Sequence, residues 1–399
     1  MLEFFLISIL AFSMVVQSMD AAHNDTTLLL GKRSNLTYDD AIDYEKNAML
    51  FSRDFARRAG LFTKFKQKFL GKSESSRKVV SVQLRWSEAR VWLAKIFLGV
   101  PPHPYLVVVD TGTSLFWVTY EGGTDPLSHL IGPYMPRHGG PAFKAVVYSE
   151  RVNLQRIKGI GRVIAASELT AEQTPDFHGV LGLALSLHSR TELPTALPFV
   201  TDFLKKYSSP IFALYLGPDG PAMHIGGTDP ALYTGKIEYH PITRINQLKE
   251  PQLWQLGGAS IYVNGHKNVV TGAEIILDTG TWGIYGPPDQ VEAVYKLIRG
   301  EEVLNGRYDL IHCHRPLPAI AIRWKKQKTW TIDPNNFNLG QPDPSKPFCE
   351  GILKKISHFE TKWVLGMSAI TSWYTAFDAT LKIPRAGFAE LKPPAYRPP

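Results

Sequence analysis

Two carboxylates of this chain stand in the same local setting. Asp110-Thr111-Gly112-Thr113 recurs as Asp278-Thr279-Gly280-Thr281, and an apolar triplet precedes each copy: Val107, Val108 and Val109 in the first, Ile275, Ile276 and Leu277 in the second. Two like carboxylates brought together cannot both ionise cheaply, so one keeps a proton while the other can accept one. That is an acid and a base in one site, the requirement for hydrolysis by an activated water. A lone Asp-Thr-Gly is weak evidence, because a turn or helix cap explains most such tripeptides. The same tetrapeptide twice, each time behind an apolar run, is harder to explain by turns alone.

The elements that must position these residues repeat with them. Gly179-Val180-Leu181-Gly182-Leu183 follows the first motif, and Trp363-Val364-Leu365-Gly366-Met367 follows the second. Each half therefore runs apolar strand, Asp-Thr-Gly-Thr, variable stretch, apolar Val-Leu-Gly strand. A repeat of this size predicts duplicated lobes of ordinary domain size. Within each motif, glycine suits a sharp turn and close approach, and its N–H can orient the carboxylate together with the second threonine's hydroxyl.

From about Val79 the chain reads as short strands with frequent turns, which predicts a mainly β protein. Trp92 to Val100, Leu106 to Val109, Val146 to Leu154 and Ile160 to Ala165 are strand-like. Phe212 to Leu216 and Met223 to Ile225 flank the turn Gly217-Pro218-Asp219-Gly220, and Asn264-Gly265 is a second hairpin signal. Helical patterns are few: Phe199 to Tyr207, and Pro288 to Arg299 with a proline near its start. The tail Lys392 to Pro399 is proline-rich.

Phe4 to Val16 is an apolar stretch ending near Val16-Gln17-Ser18, and it reads as a signal peptide over residues 1–18, although Glu3 replaces the usual basic residue. It is shorter than the roughly 20 residues that a bilayer span needs. These features predict a protein that is secreted or held in a lysosome-like vesicle lumen, with no membrane span. Asn24-Asp25-Thr26 and Asn35-Leu36-Thr37 are glycosylation acceptor patterns. In such a compartment Cys313 and Cys349, the two cysteines of the chain, read as one disulfide. The rival reading is a metal site, since His312 and His314 flank Cys313. In a strand those histidines face away from the cysteine, and metal-ligand spacing is absent.

The chain carries 44 Lys+Arg against 36 Asp+Glu, and the excess is partly local. Arg53, Arg57, Arg58, Lys64, Lys66, Lys68 and their neighbours interleave with Phe51, Phe55, Phe62, Phe65 and Phe69 at helical spacing. A solvated surface helix and a membrane-surface helix are two readings of this pattern. The reading preferred here is a pro-segment, residues 19–80, that covers an acidic cleft. No nucleic-acid partner is expected.

At these residues the chain resembles the pepsin-like aspartic proteases. Val109 to Val118 resembles the family's first motif, and Leu277 to Thr281 the second. Phe177 to Ala184 resembles the strand behind the first carboxylate, Ile225 to Pro230 with Tyr233-Thr234-Gly235 the lobe junction, and Trp363 to Gly366 with Phe377-Asp378 the closing strands. The resemblance implies a bilobal mainly β fold with an active-site cleft between an N-terminal lobe, 81–232, and a C-terminal lobe, 233–399. It implies that Asp110 and Asp278 hold one water and share one proton, that Gly112 and Gly280 donate N–H groups, that Thr113 and Thr281 hold the outer oxygens, and that Thr111 and Thr279 bond across the lobes. The cysteine pair matches the family's second-lobe disulfide. No metal or organic cofactor is implied; the expected partners are a peptide or protein substrate and the chain's own pro-segment, acting on a monomer.

The departures matter as much. The family's Tyr-Gly-Thr-Gly flap pattern is missing, and the stretch between Asp110 and the Val-Leu-Gly strand is short. His138-Gly139-Gly140 falls near the expected flap tip, with Tyr134 another candidate. Trp282 stands where the family has a small hydroxyl residue, while Trp117 matches the family's tryptophan beside the flap. Trp117, His138 and Trp282 are the expected substrate-binding residues. The function expected is an acid-type aspartic endopeptidase made as a zymogen; the alternative is a weak or inactive binding protein on the same scaffold.

Overall fold

A computed structural model describes residues 79–119, 129–134, 145–155, 157–166, 176–185, 204, 209–217, 220–243, 253–303, 307–313, 316–325, 327–341, 344–356, 362–379 and 384–393. The signal-peptide, glycosylation and pro-segment readings fall outside these residues, as does His138. The helix expected over Phe199 to Tyr207 also lies outside them, apart from Leu204.

The first half contributes β1 (Val80–Trp86), β2 (Trp92–Leu98), β3 (His103–Asp110), β4 (Phe116–Thr119), β5 (His129–Tyr134), β6 (Ala145–Leu154), β7 (Ile157–Ala166), β8 (Gly179–Gly182), β9 (Ile211–Tyr215) and β10 (Ala222–Ile225). The second contributes β11 (Tyr233–Pro241), β12 (Gln255–Val263), β13 (His266–Leu277), β14 (Ile284–Gly286), β15 (Glu301–Val303), β16 (Arg307–His312), β17 (Ile320–Trp324), β18 (Thr329–Thr331), β19 (Phe348–Glu350), β20 (Leu353–Lys355), β21 (Lys362–Leu365), β22 (Tyr374–Asp378) and β23 (Arg385–Leu391). Two helices are described, α1 (Pro288–Leu297) and α2 (Met367–Ile370). The fold is the mainly β, bilobal pepsin-like one.

The strands form a 13-stranded sheet in the order β11-β23-β22-β9-β10-β1-β2-β3-β8-β4-β7-β6-β5, a 7-stranded sheet β18-β17-β12-β13-β21-β14-β20 and a small sheet β15-β16-β19. Part of the large sheet is shared by the two halves: β22 pairs with β9, and Phe212 stacks on Phe377 with ring centroids 4.7 Å apart. Trp254 meets both rings edge-on and is fully buried. β1 shows why the sequence makes strands here. Val82 and Leu84 are buried while Ser81, Gln83 and Arg85 are exposed, the period-2 alternation of a half-covered sheet.

Turn chemistry fixes several hairpins. Asn264 and Gly265 adopt φ of 48° and 77° and close the β12–β13 hairpin, the left-handed pair that a tight two-residue turn requires. The proline-started helix appears as α1, and β9–β10 forms around the predicted Gly-Pro-Asp-Gly turn. β5 and β6 pair antiparallel up to Tyr134 opposite Ala145. The segment joining those strands lies outside the described residues, and of Tyr134 only the backbone is described.

Cys313 and Cys349 form a disulfide with Cα atoms 5.0 Å apart, at the edge of the β16–β19 pair. Engaging the Cys313 sulfur in this bond removes it as a metal ligand. His312 packs on Phe348 at 4.9 Å between ring centroids. Closing such a loop stabilises a fold by about 3–4 kcal/mol.

Candidate active site

The repeated triplets become the interior strands that carry the carboxylates. β3 pairs in parallel with β8, setting Asp110 opposite Gly182, and β13 pairs in parallel with β21, setting Leu277 opposite Leu365. The strand after each motif returns on the other side: β4 pairs antiparallel with β8, and β14 with β21. Each Val-Leu-Gly strand is thus gripped between the two arms of its own motif loop. A Cβ on Gly182 would lie 2.5 Å from the Leu115 carbonyl oxygen, so only glycine lets the arms close.

The two loops meet in a set of reciprocal hydrogen bonds. The Thr111 hydroxyl donates to the Leu277 carbonyl at 2.8 Å and accepts from the Thr279 N–H at 3.0 Å. The Thr279 hydroxyl donates to the Val109 carbonyl at 2.6 Å and accepts from the Thr111 N–H at 3.0 Å. All four groups are buried, so losing either hydroxyl strands a carbonyl and an N–H without water. A further bond crosses between the halves: the Trp254 indole N–H donates to the Leu183 carbonyl at 2.9 Å. Sequence reasoning does not single out Trp254, because nothing in its local pattern announces a partner so far along the chain.

This junction presses the carboxylates together. Asp110 is 2% exposed and Asp278 3%. Gly112 N–H donates to Asp110 Oδ1 at 2.7 Å, and Gly280 N–H to Asp278 Oδ1 at 2.9 Å. The glycines have a second, crossed role. A Cβ on Gly112 would come within 2.5 Å of the Asp278 carboxyl, and one on Gly280 within 2.5 Å of Asp110 Oδ2. Each glycine therefore orients its own aspartate and leaves room for the other.

The outer oxygens are treated differently. The Thr281 hydroxyl donates to Asp278 Oδ2 at 2.9 Å. The Thr113 hydroxyl instead accepts from the Leu115 N–H at 3.3 Å, and Thr113 supports Asp110 through its backbone N–H. The resemblance had implied the same hydroxyl role for both threonines; the geometry gives it to one.

Burial pushes the Asp110 carboxyl well above the usual carboxylate range, and the neighbouring Asp278 charge pushes it further, against N–H donation from Gly112 and Thr113. Burial also raises Asp278, but the Thr281 hydroxyl, Asp110 and the N–H groups of Gly280 and Thr281 pull it back. The two carboxyls hydrogen-bond to one another. Both carboxyls are thus raised, and the pair holds one shared proton at pH values where an ordinary aspartate has lost its own. No group of metal-ligating side chains occurs among the described residues.

The expected substrate-binding residues separate. Trp282, next to Thr281, is half-buried and packs edge-on to Trp86 at 5.4 Å. Trp117 is half-buried on β4 and packs against the cluster of Val91, Leu93, Val108 and Val180.

This arrangement, paired aspartates at the junction of two repeated β lobes, defines a class of hydrolase fold, and comparison with known proteins agrees. Residues 137–391, more than half of the chain, match the family model described as eukaryotic aspartyl protease. The chain belongs to that family. It is 28% identical to cathepsin D of Clupea harengus over 336 residues, covering 75% of this chain and 81% of the relative. It is 26% identical to chymosin of Bos taurus over 318 residues, covering 72% and 78%. It is also 26% identical to a pregnancy-associated glycoprotein of Equus caballus over 331 residues, again covering 72% and 78%. The family-model match includes Asp278 and begins beyond Asp110, so the first motif rests on its geometry.

Proposed function

We propose that this protein is an acid-type aspartic endopeptidase that hydrolyses peptide bonds through a water activated by Asp110 and Asp278. The observation that carries the reading is the crossed cradle, in which two buried carboxyls share one proton and each is oriented by a glycine N–H. Asp278, whose ionised form is supported by the Gly280 N–H and the Thr281 hydroxyl, takes a proton from water as the oxygen attacks the scissile carbonyl carbon. Asp110 gives its proton to the carbonyl oxygen, forming a gem-diol. Asp278 then passes its proton to the leaving nitrogen, Asp110 recovers one from a gem-diol hydroxyl, and the C–N bond breaks. Protein groups supply every proton transfer, and the buried setting strengthens each hydrogen bond.

The wider reading is a zymogen. Residues 19–80 act as a basic pro-segment whose Lys and Arg side chains pair with cleft carboxylates near neutral pH. Paired carboxylates have depressed pKa values, so docking is present above the unpaired pKa and lost as pH falls through the paired one. An acidic lumen, secretory or lysosome-like, is the matching compartment, following a signal peptide over 1–18. The described residues contain no helix long and apolar enough to cross a membrane.

A second reading, a weak enzyme or binding protein, draws on one observation: Thr113 supports Asp110 through its backbone N–H, and its hydroxyl accepts from the Leu115 N–H. The test is direct. After acid incubation the protein should cleave a mixed peptide library, and a statine-type mimic, which places a hydroxyl where the water sits, should inhibit it. Binding of the mimic with no cleavage of any peptide would favour the second reading.

A further inference from the structure

One group of side chains beside the carboxylates is absent from the mechanism above. The β1–β2 hairpin turns at residues 87–90, where the Ser87 N–H donates to the Val91 carbonyl at 3.0 Å and the Arg90 N–H to the Ser87 carbonyl at 3.0 Å. Asp176, just before β8, clamps this turn: it accepts from the Ser87 hydroxyl at 2.6 Å and from the Glu88 N–H at 3.2 Å. Arg90 sits at φ 62°, a left-handed conformation that costs a non-glycine residue energy and is held by its surroundings. The clamp aims the hairpin at the other half of the molecule. Trp86 packs edge-on to Trp92 at 5.0 Å and to Trp282 at 5.4 Å, and the Arg90 guanidinium lies 5.9 Å from the centre of the Trp282 ring.

The polar groups of this cluster are all donors. The indole N–H groups of Trp92 and Trp282 are buried with no acceptor among the described residues. Arg90 is exposed and has no carboxylate within ion-pair distance among them; of the acidic groups nearby in the fold, Asp176 accepts from the Ser87 hydroxyl and the Glu88 N–H, and Glu88 is an exposed residue of the turn itself. Trp86 remains 40% exposed, an apolar face open to an incoming chain. The two indole N–H groups are shut off from solvent and so from an incoming chain, whereas the exposed Arg90 guanidinium beside the Trp282 ring is open to an acceptor and suits a carboxylate.

The position says where that acceptor comes from. Trp282 directly follows Thr281, whose hydroxyl is 2.9 Å from Asp278 Oδ2. Consecutive Cα atoms are about 3.8 Å apart, so the cluster is within reach of a residue roughly two to four places along an extended peptide from the bond at the carboxylates. We propose that Trp86, Arg90, Trp92 and Trp282 form a subsite that selects peptides carrying a carboxylate near the scissile bond. The inference deepens the peptidase reading and rests on it for the identity of the ligand. The carboxylate is either an Asp or Glu side chain or the free C-terminus of a short substrate.

The test uses reduced-amide peptides, which keep the chain but cannot be cleaved, titrated at pH 5.5 into acid-incubated protein. One set carries Glu, Gln or Lys at each of the four positions on either side of the reduced bond. A second set is Gln-only, with a free or an amidated C-terminus. At one position Glu should bind roughly three- to ten-fold more tightly than Gln, the scale of one partly exposed charge-assisted contact. If the preference appears instead between free and amidated ends, the subsite reads the terminus. Arg90→Asn, which tolerates the left-handed turn, should abolish the preference, and Arg90→Glu should reverse it toward Lys. Equal binding of all members, no binding of any, or a preference that survives Arg90→Asn in a variant of unchanged melting temperature overturns the proposal. Cleavage of the amide-bonded counterparts is scored separately. Arg90-dependent selection without cleavage sinks the peptidase reading and leaves the subsite standing; cleavage without selection does the reverse.

Discussion

The two copies of Asp-Thr-Gly-Thr have the same sequence and nearly the same frame, yet they hold their carboxylates differently. In both, the glycine N–H reaches Oδ1, and in both the first threonine locks the opposite loop. The copies part at the last residue. Thr281 gives its hydroxyl to Asp278, while Thr113 gives Asp110 only its backbone N–H. A difference of one hydroxyl is enough to bias a shared proton, because in a buried pair small stabilisations of one charged form are not diluted by water. Identical tetrapeptides thus give their carboxylates unequal surroundings, which the proposed mechanism uses as an acid and a base.

Removing the dyad erases the comparison. Asp110→Asn and Asp278→Asn should each lower peptide hydrolysis by roughly 10²–10⁴-fold or more while leaving the fold intact. Retention of most activity in either variant, measured on a cleaved library peptide, would refute the mechanism. Gly112→Ala and Gly280→Ala should match that loss and also lower stability, because the new methyl meets the opposite carboxyl.

The next test breaks the lobe junction. Thr111→Ala and Thr279→Ala each strand a buried carbonyl and N–H, and each should cost about 1–3 kcal/mol in denaturant unfolding. The two losses should be similar, since the bonds are reciprocal. A large difference between them would mean that the lobes do not share the grip equally.

A finer test isolates the divergent threonines. Donation from Thr281 lowers the Asp278 pKa, so Thr281→Val raises it. In the proposed mechanism Asp278 acts ionised, so the acid limb of the kcat/KM profile should then move to higher pH. Thr113→Val should leave that limb in place. A shift of the same size in both variants would make the two copies equivalent after all.

The smallest effect contrasts the dyad with the shared sheet. Burial raises both carboxyls, a penalty present above their folded pKa values and relieved as pH falls toward the ordinary 3.8. His224 and His240, buried in the sheet that joins the halves, shift the other way. Burial lowers both from 6.5, against the opposing pull of Asp229 and Glu238 respectively. Their penalty is absent above 6.5, grows as pH falls from 6.5 toward their folded values and is constant below them. His240 packs against Trp324 and Phe388, with Glu238 at 3.1 Å, so His240→Phe should raise the melting temperature at pH 5 by roughly 2–4 °C and change it little at pH 8. An equal change at both pH values would assign the effect to packing instead of charge.

Much of this was legible in the chain because repetition turns a weak signal into a strong one. The doubled Asp-Thr-Gly-Thr, the doubled Val-Leu-Gly strand and the Asn-Gly turn each report local backbone needs, which a sequence states directly. The unequal hydroxyls of Thr113 and Thr281 were not legible, since the residues are the same and only the third dimension separates them. Trp86, Arg90 and Trp92 were silent for a related reason: their meaning depends on a hairpin aimed at Trp282, far along the chain. The missing Tyr-Gly-Thr-Gly pattern gives the expectation of an eroded flap, and its tip around His138 lies outside the described residues; the pairing of β5 with β6 beside it had no signature in sequence, because strand pairing is carried by backbone groups that many side chains allow.

The place of β1 sets a boundary on how the proposed precursor would be trimmed. Val80 to Gln83 pair with β10 on one side, and Leu84 to Trp86 with β2 on the other, so this first described strand is an inner plank of the floor that joins the halves. A cut before Val79 would leave each of these pairs in place. A cut only a few residues further on would pull out the plank and open the middle of the sheet. Under the zymogen reading, removal of a pro-segment therefore meets a hard stop written into these hydrogen bonds, independent of what any protease prefers to cleave.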